Sequence, residues 1–395
     1  MKNNITAIVF KKELTDIFRD RKTLILGILI PLILFPVLFG VMSKSVNSTE
    51  KSVQENLKIA VIDNSQSSLG KFLKAQKNVK ITSTSNKDND VKNGNILLAV
   101  EIPDNFDNNI SSENQNKIVI TYDNSSQKSM TAMDIINKYI DSYSKEVVKN
   151  RLSKRNISAD ILNPVRIETK TSVKEKDGTG KFMLSLMLPL LLVIYSVTGP
   201  MAPATDLGAG EKERGTLEPL LTTQAGRLSL LWGKFLAITV MGCLTTAASL
   251  GGLIIAMQQK GSILSGGGGA VNISPLTLLL VGVVSILVTM VFGALELSIS
   301  IYARSFKEAQ TYLSPLTIIA FVPVYSTYML DAKNIENYYF HIPLANCVCL
   351  LKEFIMGIYN YTHIGITFAW IFVYIIAAIL FARFMFSRED VIFRT

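Results

Sequence analysis

The chain has 395 residues, of which 49% are hydrophobic and only 18% charged, with a formal net charge of +9. This balance points to a membrane protein, because the apolar residues gather in runs near the ~18–20 residues that a helix needs to cross a bilayer. The basic residues flank those runs or spread over one mixed-charge segment, with no aromatic-interleaved basic stripe, which excludes a nucleic-acid partner.

Residues 1–22 are mostly polar, and within 4–20 a helix places Phe10, Leu14, Ile17 and Phe18 on one face, with Lys11, Lys12, Asp16 and Arg19 mostly opposite. Such a segment suits the membrane interface, as an amphipathic elbow. The first apolar run, 23–43, is followed by no convincing small-residue cleavage site and reads as an uncleaved first span.

Residues 44–181 have the texture of a folded water-soluble domain, carrying 22 basic and 17 acidic residues. LKIAVID (57–63), NVKITST (78–84), NILLAVEIP (95–103) and KIVITYD (117–123) predict short strands separated by Asn, Ser and Gly turns. Met133, Ile136, Ile140, Tyr143 and Val147 repeat at helical spacing, so a helix is expected to cover the sheet. The predicted unit is a small α+β domain. Its Asn-x-Ser/Thr triplets are what an Asn-rich segment yields by chance.

Five more apolar runs follow, at 182–203, 228–257, 275–301, 311–330 and 364–386. The predicted fold class is therefore an α-helical polytopic membrane protein, with six transmembrane helices and an α+β domain inserted between the first and second. Orientation follows from the Lys and Arg outside the inserted domain. With both termini in the cytoplasm, segments 1–22, 206–234, 303–309 and 383–395 hold fifteen, whereas the outer loops hold only Lys260, Lys333 and Lys352. This bias places 44–181 outside the cell and the loop 206–227 inside.

That loop reads DLGAGEKERGTLEPLL over 206–221. Gly210 and Gly215 bracket Glu211 to Arg214, and Thr216 can cap a short helix carrying Leu217, Leu220 and Leu221. A helix with one apolar and one charged edge suits docking into another protein's groove. In the fourth run Ser285, Thr289, Glu296 and Ser300 form one polar stripe. Intramembrane charge is costly, so Glu296 is either a path or cation ligand or a packing residue that pairs or reaches water near the helix end. Gly242, Thr246 and Ser249 in the third run allow close helix approach, and the prolines of the second and fifth runs can kink their helices.

Segment 341–358, HIPLANCVCLLKEFIMG followed by Ile358, is too short to cross and too apolar for an ordinary loop. It reads as a re-entrant outer hairpin with His341 at its mouth. Cys243, Cys347 and Cys349 form no disulfide framework and read as small packing residues. Neither of the two histidines has an evident partner, and no Ser-His-Asp set, metal-ligand cluster or carboxylate pair lies in the runs, which argues against a membrane enzyme.

The string DLGAGEKERGTLEPLL, with Gly233-Lys234 opening the third run and ILLAVEIPDNF at 96–106, resembles the type-2 ABC permease family. Within it the likeness is to the sodium-extruding subgroup with a large extracellular domain after the first span. The resemblance extends over nearly the whole chain. Where the family usually has a Pro after the Leu-Leu-Thr stretch, this chain has Thr223-Gln224-Ala225-Gly226.

The resemblance implies an ATP-driven exporter permease in a bacterial cell membrane, built from two permease chains, identical or related, and two ATPase subunits. Glu211, Glu213, Arg214, Gly215, Thr216, Leu217 and Glu218 would form the ATPase-coupling element, and the elbow would brace the same partner. ATP-Mg would sit on that partner, because this chain has no nucleotide site. Gly178-Thr179-Gly180-Lys181 lacks both the first Gly and the Ser or Thr of a phosphate loop, and the glycines at 266–269 lack a following Lys. Na⁺ is the substrate the subgroup implies. Export of a peptide, antibiotic or lipid-like molecule suits the same apolar pathway, and a membrane sensor or scaffold that transports nothing is the reading from another class.

Overall fold

The computed structural model describes residues 3–162, 175–222, 225–259 and 273–392. The chain divides into two compact units, one formed by Met1–Val41 with Thr171–Thr395 and the other by Met42–Lys170.

The helical unit opens with α1, Asn3–Arg19, which ends at Asp20. Asp20 then caps the next helix by accepting from the Lys22 amide at 3.0 Å. That helix, α2, is continuous over Arg21–Glu55 and includes a π-helical stretch at Ile25–Leu29. It therefore runs past residue 43, where the apolar run stops, because the polar stretch after it contains no helix breaker. The expectation for α1 needs correction. Val9, Glu13 and Ile17, four residues apart, are its buried stripe, while Phe18 is 46% exposed. The elbow packs on the long helix Arg227–Gln258, and a carboxylate lies at the centre of its buried face.

The second unit is a four-stranded sheet in the order β2-β1-β3-β4, with β1 Leu57–Ile62, β2 Val79–Ile81, β3 Leu98–Glu101 and β4 Val119–Tyr122. β1 pairs in parallel with β2 (Leu57 opposite Val79) and with β3 (Ile59 opposite Leu98), and β4 closes the edge antiparallel (Leu98 opposite Tyr122). Helices α3 Ser68–Lys74, α4 Lys87–Lys92 and α5 Phe106–Ser111 connect the strands, and α6 Gln127–Lys154 follows. Leu98, Ala99 and Val100 are all fully buried, as a central strand covered on both faces requires, which is why ILLAV is an unbroken apolar run. On one face Leu57, Ile59, Leu98 and Val100 meet Leu69, Leu73, Ala132 and Ile136, and on the other Ala60 and Ala99 meet Val91 and Ile96.

The helical unit resumes with α7 Glu175–Thr205, which passes through a π-helical turn, Asp206–Gly210, into Glu211–Glu213. Then come α8 Leu217–Thr222, α9 Arg227–Gln258, α10 Pro275–Tyr302, α11 Phe306–Ser326, α12 Ala345–Met356, α13 Tyr361–Ser387 and the short α14 Glu389–Ile392. α10 is the centre of this unit, packed against α7, α9, α11 and α13.

Five helices among the described residues are long and apolar enough to cross a membrane: Arg21–Glu55, Gly180–Glu213, Arg227–Gln258, Pro275–Tyr302 and Tyr361–Ser387. The fifth expected run forms the 21-residue α11, with Pro315 and Pro323 inside it, and falls short of those five in apolar character.

Segment 341–358 is not a two-limbed hairpin. A 3₁₀ turn, Asn337–His341, leads into the single helix α12, buried from Ala345 through Ile355 and closed by Gly357 at φ 78. A residue with a Cβ would be strained in that left-handed cap. Lys352, counted above as an outer-loop charge, is 1% exposed, and its ammonium donates to the carbonyls of Thr327 (2.6 Å), Tyr328 (2.6 Å) and Leu330 (3.2 Å) just beyond the end of α11. The Gly178–Lys181 string lies in the first turns of α7, a helix rather than a phosphate loop. Residues 266–269 and 223–224 lie outside the described residues.

Candidate functional site

The loop from Asp206 to Thr222 folds onto the ends of α7 and α9. Gly215, at φ 66, ends Glu211–Glu213 in the left-handed conformation that glycine adopts without strain. Its amide donates to the Lys212 carbonyl at 3.0 Å and the Thr216 amide to the Glu211 carbonyl at 2.9 Å. Thr216 also returns its hydroxyl to that carbonyl at 3.1 Å.

This tight turn directs Glu211 inward. Glu211 Oε2 accepts from Lys234 Nζ at 2.5 Å, and Glu13 Oε1 lies 3.2 Å from the same nitrogen. Lys234 and Glu13 are fully buried and Glu211 nearly so. The ammonium's third acceptor, the Leu207 carbonyl at 2.9 Å, belongs to the π-helical turn. Lys12, half exposed, closes the set from outside, 2.8 Å from Glu211 Oε1 and 3.2 Å from Glu13. Burial draws the Lys12 ammonium down, but hydrogen bonding and charge from Glu211 outweigh it, and the net direction is up from 10.5. Two cations and two anions thus tie the elbow helix, the loop and the start of α9 into one neutral cluster. Removing a single member would strand the opposite charge in a dry site.

The close approach depends on Gly233. A Cβ there would lie 2.5 Å from Val9 Cγ1 and 3.1 Å from the Phe10 amide nitrogen, so only glycine lets α1 lie against α9 at this point.

The remaining loop charges split. Arg214, exposed, pairs with the half-buried Asp206 at 2.7 Å, which raises its pKa further. Glu213 accepts from the Phe306 amide at 2.7 Å, bracing the start of α11. Lys212 reaches the carbonyls of Ile301 (3.3 Å) and Val391 (2.6 Å). Glu218 is exposed, whereas Leu217, expected on an outward apolar edge, is 3% exposed and packs within the chain. Beside the cluster is an open cleft of about 630 Å³ lined by Lys12, Asp16, Asp206, Arg214, Pro219 and Leu220 among others. Asp16, Arg214, Glu218 and the rim of this cleft therefore stay exposed, with Glu211 and Leu217 buried behind them.

The polar stripe of α10 is wholly internal. Ser285 and Thr289 each return their hydroxyl to the carbonyl one turn back, at 2.8 and 2.9 Å. Ser300 joins the π-helical turn instead: its Oγ accepts from the Ala209 amide at 2.9 Å and donates to the Thr205 carbonyl at 3.2 Å. Glu296 is fully buried, and neither carboxyl oxygen has a hydrogen-bond partner among the described residues. It is the one member of the stripe whose polar atoms are left unsatisfied. No group of three or more His, Cys, Asp or Glu able to hold a metal occurs among the described residues.

A second polar cluster was hidden in the sequence. His363 Nδ1 lies 2.7 Å from Glu353 Oε1, its Nε2 lies 2.7 Å from Asn337 Oδ1, and Phe340 stacks on the ring at 3.9 Å. The histidine without an evident partner has one, brought by a helix of which it is not part. His341 is exposed, and its Nδ1 accepts from Trp370 Nε1 at 3.2 Å.

Residues 21–382 match the ABC-2 family transporter protein family. The chain belongs to that family. It is also similar to the ABC transporter permease protein NatB of Bacillus subtilis (strain 168), at 30% identity over 395 residues, covering 96% of this chain and 97% of the relative. The family match begins at α2 and ends inside α13, so it takes in the inserted sheet unit together with the apolar helices. This NatB-like type-2 ABC permease thus carries its charge cluster where its second and third long apolar helices meet the elbow.

Proposed function

We propose that this permease is the membrane half of an ATP-driven exporter, with the 206–227 loop and both termini in the cytoplasm and the sheet unit outside. α11 is then the sixth crossing. At ~1.5 Å per residue its 21 residues span about 30 Å, the thickness of the hydrocarbon core, and Ile318, Ile319 and Val322 lie exposed along it. Two such chains pair with two ATPase subunits that carry ATP-Mg. The observation that carries the reading is the buried Glu13–Lys234–Glu211 cluster. It locks the elbow to the loop, so that a push on either from a partner moves α7 and α9 together.

Na⁺ is the proposed substrate, supported by likeness to the sodium-extruding subgroup and by the unpaired Glu296 within the helix core. A peptide or lipid-like substrate needs no carboxylate there, and a sensor needs no ATPase. Reconstitution with the ATPase in vesicles separates the three. Stable co-purification with Na⁺-stimulated hydrolysis and Na⁺ movement is the expected result. Hydrolysis stimulated by apolar peptides but not by Na⁺ would overturn the substrate, and failure of any ATPase to co-purify would overturn the exporter.

A further inference from the structure

The sheet unit contains a cleft of about 370 Å³ between the 112–118 turn and the second half of α6. This volume lies within the ~300–1,000 Å³ range typical of small-molecule sites. Phe106, Ile110, Ile118, Ile140 and Val147 wall it, and Asn114, Gln115 and Ser144 lie at its rim, exposed.

The turn is held in place from below. Asn116 donates to the Phe106 carbonyl at 3.1 Å and accepts from Asn109 at 2.9 Å, while Glu113 adopts φ 59. A non-glycine residue in that conformation persists only where its surroundings fix it, so the cleft is preformed.

Arg151 lines one end. Its guanidinium donates to the Ile110 carbonyl at 2.8 Å and, at a long 3.4 Å, to that of Glu113. Its Nε–H is buried without an acceptor, and no carboxylate pairs with it among the described residues. The nearest acid in the turn, Glu113, is already paired with Arg155. Capping two carbonyls uses part of a fork with five donors and neutralises none of its charge. A partly buried cation without a counter-ion, set at the end of an apolar cleft, is complementary to one ligand chemistry.

We propose that this cleft binds an aliphatic carboxylate, with the carboxylate on Arg151 and the hydrocarbon against Ile110, Ile118 and Ile140. Two sources share that chemistry, a free alkanoate and the C-terminus of a short apolar peptide. The site stands on the geometry of the sheet unit alone and does not depend on what the helical unit transports.

The test uses the full chain in phosphatidylcholine nanodiscs with ¹³C-labelled isoleucine δ1 methyl groups. Hexanoate and N-acetyl-leucyl-leucine are titrated, with hexanol and the peptide amide as uncharged counterparts. The expected result is that carboxylates shift the Ile110, Ile118 and Ile140 methyls at millimolar concentration while the uncharged counterparts do not. A response to hexanoate alone identifies the free acid as the source, and a response to the peptide alone identifies the chain end. Arg151→Gln should weaken binding by about tenfold or more, the loss expected for a charge-assisted hydrogen bond, with the core reporters Ile59 and Ile136 unmoved. If those reporters do move, Ser144→Trp, which blocks the rim and touches none of the turn's hydrogen bonds, serves instead and should abolish the shifts. No response to either carboxylate, equal response to hexanol, or unchanged affinity in a variant with intact core reporters would overturn the proposal.

Discussion

Lys234 Nζ lies 2.5 Å from Glu211 Oε2 with both side chains sealed from solvent, so the first of the charges between Gly210 and Gly215 is spent inside the permease. Such a pair contributes less through its attraction than it would cost to break. Lys234→Met strands Glu13 and Glu211 together and should destabilise the chain by about 3–5 kcal/mol. The triple change Lys234→Met, Glu13→Leu, Glu211→Leu should recover most of that loss while uncoupling the loop from the elbow. Thermal loss of the monodisperse peak, measured beside stimulation of the ATPase, checks both halves. A triple variant with normal stimulation would show that the cluster is only a packing device.

Gly233→Ala should displace α1 at a cost of about 1–3 kcal/mol, because the added methyl meets the Phe10 backbone as well as Val9. Backbone cannot swing aside as a side chain can. Faster proteolysis after Lys11 or Lys12 is the expected readout, and protection equal to that of the parent would mean the helices separate without strain.

Glu296→Gln removes a buried carboxyl whose oxygens have no partner among the described residues, so it should leave stability unchanged or raise it by about 1 kcal/mol. Na⁺ movement should fall at least tenfold if this carboxyl lies on the path. Unimpaired transport by a well-folded Glu296→Gln protein would take the residue off the route.

Glu353→Gln and His363→Gln should each cost about 1–3 kcal/mol, since each leaves its partner buried and less well satisfied. The double variant should cost less than the two summed, by about 1 kcal/mol or more, as contacting residues do. Strict additivity in that cycle would mean the pair contributes nothing as a pair.

Much of this architecture can be read locally. Apolar runs mark α2, α7, α9, α10, α11 and α13, and the four strands fall where alternation and Asn-Gly-Ser turns predict them, because hydropathy and period are properties of neighbours in sequence. The turn at Gly215 is equally local, since a left-handed residue after a charged helical end needs glycine. The run 311–330 is helical only to Ser326, and its polar residues, such as Thr311 and Ser314, leave it less apolar than the other five.

The fate of the charges could be decided only by the tertiary structure. Glu13 and Lys234 are separated by 221 residues, and Glu353 and His363 lie on different helices, so their meeting depends on how the helices pack and in what register. Lys352 reads as a loop charge because a single sequence cannot show that three carbonyls converge on it. Burial likewise turned Leu217 and Glu211 inward from an edge that looked amphipathic. The sequence by itself determined which segments leave water and which loop carries the charge. The fold determined which of those charges remain available to a partner, because a charge can be buried only where its counter-ion arrives from another element.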